Sequence, residues 1–179
     1  MTLLHNFNPN PMCVDMGNYL SGHGGVSNCN ILNIVSHYAP PSDFPGFCVE
    51  TIADGDSWCG MECPDVPRNT PLVLAANMAV GDNTTSKPLY GSWVNVWAGP
   101  ETDWRSRGSL TSSGVSGDIT LPSGGKTPQI VFRGPAKAGQ RIYIWSIYLG
   151  TRADYETLQR YAPGAPLAGS LMPLRGGEA

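Results

Sequence analysis

Apolar and polar residues alternate through residues 93–98, where Trp93, Asn95 and Trp97 fall on one side of an extended chain and Val94, Val96 and Ala98 on the other. The aliphatic side suits a core, and the tryptophan and asparagine side suits a groove or an interface. A strand is therefore expected over residues 89–98. Residues 129–133 and 141–149 are also rich in β-branched and aromatic residues, and a Gly/Pro/Lys turn at 134–139 joins them. In the second, Tyr143, Trp145, Ile147 and Leu149 share one face and Ile142, Ile144, Ser146 and Tyr148 the other. Neither face suits water. This strand is expected to be covered on both sides, at the centre of a sandwich or against a partner subunit.

Further strands are expected at residues 28–35 and 47–52, the latter followed by a hairpin-type signal at Asp54-Gly55-Asp56. Residues 71–80 have a Leu and Ala content that also suits a helix. They start at Pro71, stop at Gly81-Asp82-Asn83 and lack helical caps, which favours a strand. Short strands are read at 3–7, 107–111 and 118–121, and one or two helical turns at 152–160. The expected organisation is an extended N-terminal arm over 1–30, a β-sandwich over 31–150, and a short helical turn with a Pro/Gly-rich tail over 151–179. Both terminal segments lack a periodic apolar face, so neighbouring subunits are expected to order them.

Composition narrows the class. A chain of 179 residues suits one domain, and 22 Gly, 16 Pro and only 14% charged residues favour short strands and turns, hence an all-β protein. Net charge is −3 with 11 scattered Lys and Arg, which speaks against a nucleic-acid partner. No apolar run approaches a membrane span, and the N-terminus lacks the basic and apolar regions of a signal peptide, so synthesis in a reducing cytoplasm is expected. The five cysteines, Cys13, Cys29, Cys48, Cys59 and Cys63, leave three alternatives open: free thiols, a disulfide such as Cys59 to Cys63, or a zinc site drawing on His23 or His37. Free thiols are favoured, and no cofactor is implied. His5, His23 and His37 lie among Asn, Gly and Pro, no nucleophile motif is present, and Asp54, Asp56, Glu62, Asp65, Glu101 and Asp103 occupy turn-like contexts. No catalytic role is assigned, and an enzyme is not expected.

Several motifs carry a family resemblance. Asn6-Phe-Asn-Pro-Asn-Pro-Met-Cys13 resembles the first half of an "N-L-x-P-N-P-S-F-E" motif, residues 71–80 resemble a "Y-x-L-S-A-x-V" strand, and residues 142–149 are similar to a closing "I/V-Y-x-D-D-V-x-L" strand. Tyr155 and Tyr161-Ala-Pro-Gly164 echo a "Y-F-D-G" tail. Together they resemble the jelly-roll carbohydrate-binding-module superfamily, in the form it takes in tail and other virion proteins of actinobacterial phages. Val14 stands where that family carries Glu, and Trp145-Ser146 where it carries paired Asp, so any structural calcium site of the family is without those carboxylates here.

The resemblance implies a jelly-roll β-sandwich and a bacteriophage structural protein, a capsid decoration or minor tail protein located on the virion. Its partners would be other virion proteins and further copies of itself, reached through aromatic and extended-arm contacts, with host-surface glycans as a further ligand. The alternative is a carbohydrate-binding module or an accessory domain of a glycan-active enzyme. In both readings the candidate binding residues are Tyr90, Trp93, Asn95, Trp97 and Trp104, serving either as a subunit interface or as a platform on which pyranose rings stack.

Overall fold

In the computed structural model, which describes residues 4–10, 13–33, 46–81 and 93–161, the alternating segments form strands that pair antiparallel in two sheets. In chain order the elements are α1 (Met16–Gly22), β1 (Gly24–Ser27), β2 (Cys29–Asn33), β3 (Gly46–Thr51), β4 (Trp58–Glu62) and β5 (Pro71–Gly81). There follow β6 (Trp93–Gly99), β7 (Arg105–Leu110), β8 (Gly114–Val115), β9 (Ile119–Thr120), β10 (Lys126–Arg133), β11 (Arg141–Thr151) and α2 (Arg152–Tyr161). The front sheet runs β1-β4-β10-β6-β7, and the back sheet β2-β3-β11-β5-β8 with β9 also on β5. This is the all-β, jelly-roll sandwich that the pattern and the resemblance implied.

Alternation decides what lies between the sheets. Cys59 and Met61, Val94, Val96 and Ala98, and Ile130 and Phe132 point inward from the front sheet, against Phe47, Val49, Leu72, Leu74 and Ala76 from the back. Phe47 and Phe132 meet edge to face across the gap, 5.0 Å between ring centres. Each fully buried Val, Leu, Ile, Phe or Met among them stabilises the fold by about 1.5–3 kcal/mol.

The turns at 54–56 and 134–139 are corners of the sandwich, not hairpins. β3 and β11 lie in the back sheet while β4 and β10 lie in the front one, so each turn carries the chain between layers. The two corners are tied together by Gly55 N donating to Ala136 O at 2.9 Å and Ala138 N donating to Asp54 Oδ1 at 3.0 Å. A turn signal between two apolar runs looks the same in either arrangement.

β11 is central and covered on both faces, but its side chains do not divide as simple alternation predicts. Ile142 and Ile144 share the core with Ile147 and Leu149, because Ser146 and Ile147 together stand opposite Ala76 in a β-bulge. Ser146 takes the left-handed conformation, φ 53°, and the bulge resets which residues face inward.

The bulge also explains the N-terminal segment. Asn6 Nδ2 and Asn8 Nδ2 both donate to Ile147 O at 3.2 Å, Leu149 N donates to Asn6 Oδ1 at 3.1 Å, and Phe7 N donates to Leu149 O at 2.6 Å. Residues 4–10 thus do not form the expected short strand, and within their own chain they are bonded to β11. Later parts of the expected arm belong to the body: α1 buries Met16 (1% exposed) and Leu20 (0%) one helical turn apart, and β1 joins the front sheet. α2 is longer than the expected one or two turns, and it lays Leu158 and Tyr155 over Val73, Ala75 and Tyr148 of the back sheet. The expected tail beyond residue 161 lies outside the described residues.

Candidate functional site

The outward face of the front sheet is a small grid set by strand register. Across β4, β10 and β6 the rows are Trp58, Arg133 and Trp93, then Gly60, Val131 and Asn95, then Glu62, Gln129 and Trp97. Period-two alternation places the others, Trp93 left aside, opposite the core residues of the same strands. Trp58 and Trp97 occupy diagonal corners, two strand spacings across and four residues along, roughly 16 Å apart at the backbone. The middle row is low, which turns the grid into a trough.

Two glycines seat the Trp58 indole. A Cβ on Gly25 would come within 3.0 Å of its six-membered ring, and one on Gly60 would sit 3.7 Å from the ring and 3.1 Å from Gln129 Oε1. Gly25 and Gly60 face each other in the β1–β4 pair, so the indole lies over the place where side chains would stand. At the opposite corner Trp104, which follows a 3-10 turn at Glu101–Asp103, packs on Trp97 with 6.5 Å between ring centres and 45° between planes.

Trp58, Trp97, Trp104, Gln129, Val131 and Arg133 enclose a cavity of about 220 Å³. Trp104 and Gln129 also line an adjoining depression of about 440 Å³, together with Glu62, Lys126 and Thr127. All three indoles are half-buried. Arg133 Nη1 pairs with Asp56 Oδ1 at 3.2 Å, and Lys126 Nζ with Glu101 Oε1 at 2.9 Å. The Arg107 guanidinium, donating to Asp103 at 2.7 Å, holds that carboxyl below its ordinary range with help from Arg105. This braces the turn that presents Trp104.

Asn95 sits in the middle row, 3% exposed, accepting from Ser106 Oγ at 3.3 Å. Its Nδ2 and the Nε1 of Trp97 are buried without an acceptor among the described residues. Two donors without acceptors beside the trough are an unusual expense inside a protein, where buried polar groups are normally bonded.

The structure therefore brings Asn95, Trp97 and Trp104 together as the sequence implied. Tyr90 and the side chain of Trp93 lie outside the described residues. The sequence reading missed Trp58, Gln129 and Arg133, which reach the site only because β10 pairs with both β4 and β6. The available signal was the alternation of Trp58, Gly60 and Glu62 with Cys59, Met61 and Cys63.

The cysteines take no part in the site. All five are free and buried, with Cys13, Cys29, Cys59 and Cys63 in the main core, and Cys59 and Cys63 are not bonded to each other. Burial pushes the Cys13 and Cys63 thiols up to about 12. Among the described residues no group of three or more His, Cys, Asp or Glu could hold a metal ion, and His37 lies outside them.

No protein-family model matches the chain, and no curated protein sequence matches it. Solved structures that it resembles are carbohydrate-binding modules. A family 16 module is 17% identical with a TM-score of 0.48, covering 74% of this chain and 96% of that one. A family 29 module is 12% identical at a TM-score of 0.42 over 72% and 77%. A family 29 mutant complexed with cellulohexaose is 12% identical at 0.44 over 72% and 79%. None of these three is named as a virion protein. A likeness at this level carries no functional argument, since one fold hosts many functions.

Proposed function

We propose that this protein is a carbohydrate-binding module that holds an extended glycan along the front sheet. The observation that carries the reading is the trough itself: three half-buried indoles around a floor of Gly60, Val131 and Gln129, with the Gln129 amide and the Arg133 guanidinium, which pairs with Asp56, at its edge. Indole faces suit the apolar faces of pyranose rings, and a few placed polar groups fix orientation. Trp58 and Trp97 stand at diagonal corners of the trough, so a glycan chain lying along it would meet both, and the proposed ligand is an oligosaccharide or polysaccharide chain. Trp97 Nε1 and Asn95 Nδ2 gain acceptors from a sugar hydroxyl or a water it retains.

The role is binding without catalysis. Glycoside hydrolysis needs two carboxyl groups flanking the scissile bond, and among the described residues that line the trough and its extension one carries a carboxyl group, Glu62. A protein interface is the rival use of the same aromatic patch, and a surface of a phage particle is one setting in which a glycan-binding face would meet a host. Gel electrophoresis through soluble polysaccharides tests the reading. Retardation by at least one polysaccharide, with a change in tryptophan fluorescence on titration and loss of both in Trp97→Ala, is the expected result. No retardation by any polysaccharide, together with co-sedimentation on phage particles, would replace it with the interface reading.

A further inference from the structure

Beyond Trp104 the groove changes character. The depression of about 440 Å³ that continues it carries two charged side chains, Glu62 and Lys126, and they are not equivalent. Lys126 is neutralised by Glu101, 2.9 Å away. The half-buried Glu62 has no cation within ion-pair distance among the described residues, whose salt bridges join other groups. Its place is fixed by backbone bonds: Glu62 N donates to His23 O at 2.9 Å, and the residue faces Gln129, which in turn faces Trp97. An unpaired carboxylate beside an indole favours one kind of ligand group, because both the charge and the negative ring face attract a cation.

We infer that this end of the groove is a subsite for an amine-bearing sugar, a glycan of glucosamine type whose ammonium group pairs with Glu62 while the ring lies on Trp104. The inference rests on the glycan-binding reading above and names the class of glycan. A uronic acid would set carboxylate against carboxylate, and a neutral sugar would leave Glu62 to water with no gain.

Calorimetric titration of the full chain with short glucosamine oligomers, and with glucose oligomers of the same linkage, tests it at fixed ionic strength. The amine oligomers should bind about fivefold tighter, the scale of a partly exposed charge pair. Glu62→Gln should bring the ratio of the two affinities to about one. Because a chain of net charge −3 attracts any polycation, Asp65→Asn, which removes the same charge outside the groove, must retain the preference. Equal affinity of the unaltered protein for both oligomers, or an equal loss in Asp65→Asn, would overturn the subsite and leave the glycan-binding reading standing. Binding of neither oligomer would overturn the subsite, and the absence of any binding across the polysaccharide panel would overturn the broader reading as well.

Discussion

On the back sheet the outward-pointing Val73, Ala75 and Tyr148 are sealed beneath Leu158 and Tyr155 of α2 and Leu4 of the N-terminal segment. On the front sheet the outward-pointing Trp58 and Trp97 stay half-buried, joined by Trp104 and separated by Gly60, Val131 and Gln129. Both faces are aromatic and both belong to central strands. The difference is that, among the described residues, α2 and the N-terminal segment cover the back face while the front face keeps a trough. An outward aromatic is thus core or site according to what else is at hand to cover it, and this is settled by topology.

The comparison predicts unequal costs of truncation. Tyr148→Ala, which empties a fully buried position, should cost about 3–5 kcal/mol of stability, measurable by denaturant unfolding. A loss below about 1 kcal/mol would mean that the back face is not a second core. Asn6→Ala removes a donor to Ile147 O and an acceptor from Leu149 N, both buried, and should cost about 1–3 kcal/mol. If the segment is instead ordered only by a neighbouring subunit, this variant will unfold with the same midpoint as the parent in dilute solution.

A smaller effect separates the faces by pH. Burial pushes the Tyr148 hydroxyl well above its ordinary value of 10.0, with Asp154 and Tyr155 adding to the shift. The unfolded state therefore loses this proton first, so the contribution of Tyr148 is full below about pH 10 and is lost as pH rises beyond it, on top of an earlier decline from the buried thiols, whose ordinary value is 9.0. Tyr148→Phe should flatten that alkaline decline, whereas Trp58→Phe should leave it unchanged. The melting temperature followed from pH 8 to 11 reads both.

What the sequence disclosed follows the same division. The alternation of β6 was legible in full, because Val94, Val96 and Ala98 are uniformly small and aliphatic and their neighbours are not. β5 was legible as a strand although both its faces are buried. The faces of β11 were legible only up to Trp145, since nothing in Trp145-Ser146-Ile147 announces a bulge, and Ser rarely adopts φ 53°. α1 was invisible: seven residues rich in Gly and Asn, entered through Asp15 without a side-chain cap, carry only Met16 and Leu20 as an apolar stripe. Half of the site was legible, Asn95 and Trp97 by alternation and Trp104 by proximity. Trp58 was not, because its partnership with Trp97 runs through β10, distant from both in the chain.

The motif Asn6-Phe-Asn-Pro-Asn-Pro was read as a family mark, and the structure gives it a mechanical task. Two of its three side-chain amides, those of Asn6 and Asn8, donate to the Ile147 carbonyl at the bulge. That task serves the fold and is independent of any virion setting.

Trp58→Ala combined with Trp97→Ala, assayed for thermal unfolding and for polysaccharide binding in one preparation, tests the central claim most directly. The expected result is a midpoint within a few degrees of the parent, because both indoles stand outside the core, and a fall in affinity of roughly a thousandfold, the scale of losing two binding hot spots of about 2 kcal/mol each. A protein that unfolds would show that the indoles are core, and a folded protein that binds as tightly as before would show that the glycan is held elsewhere.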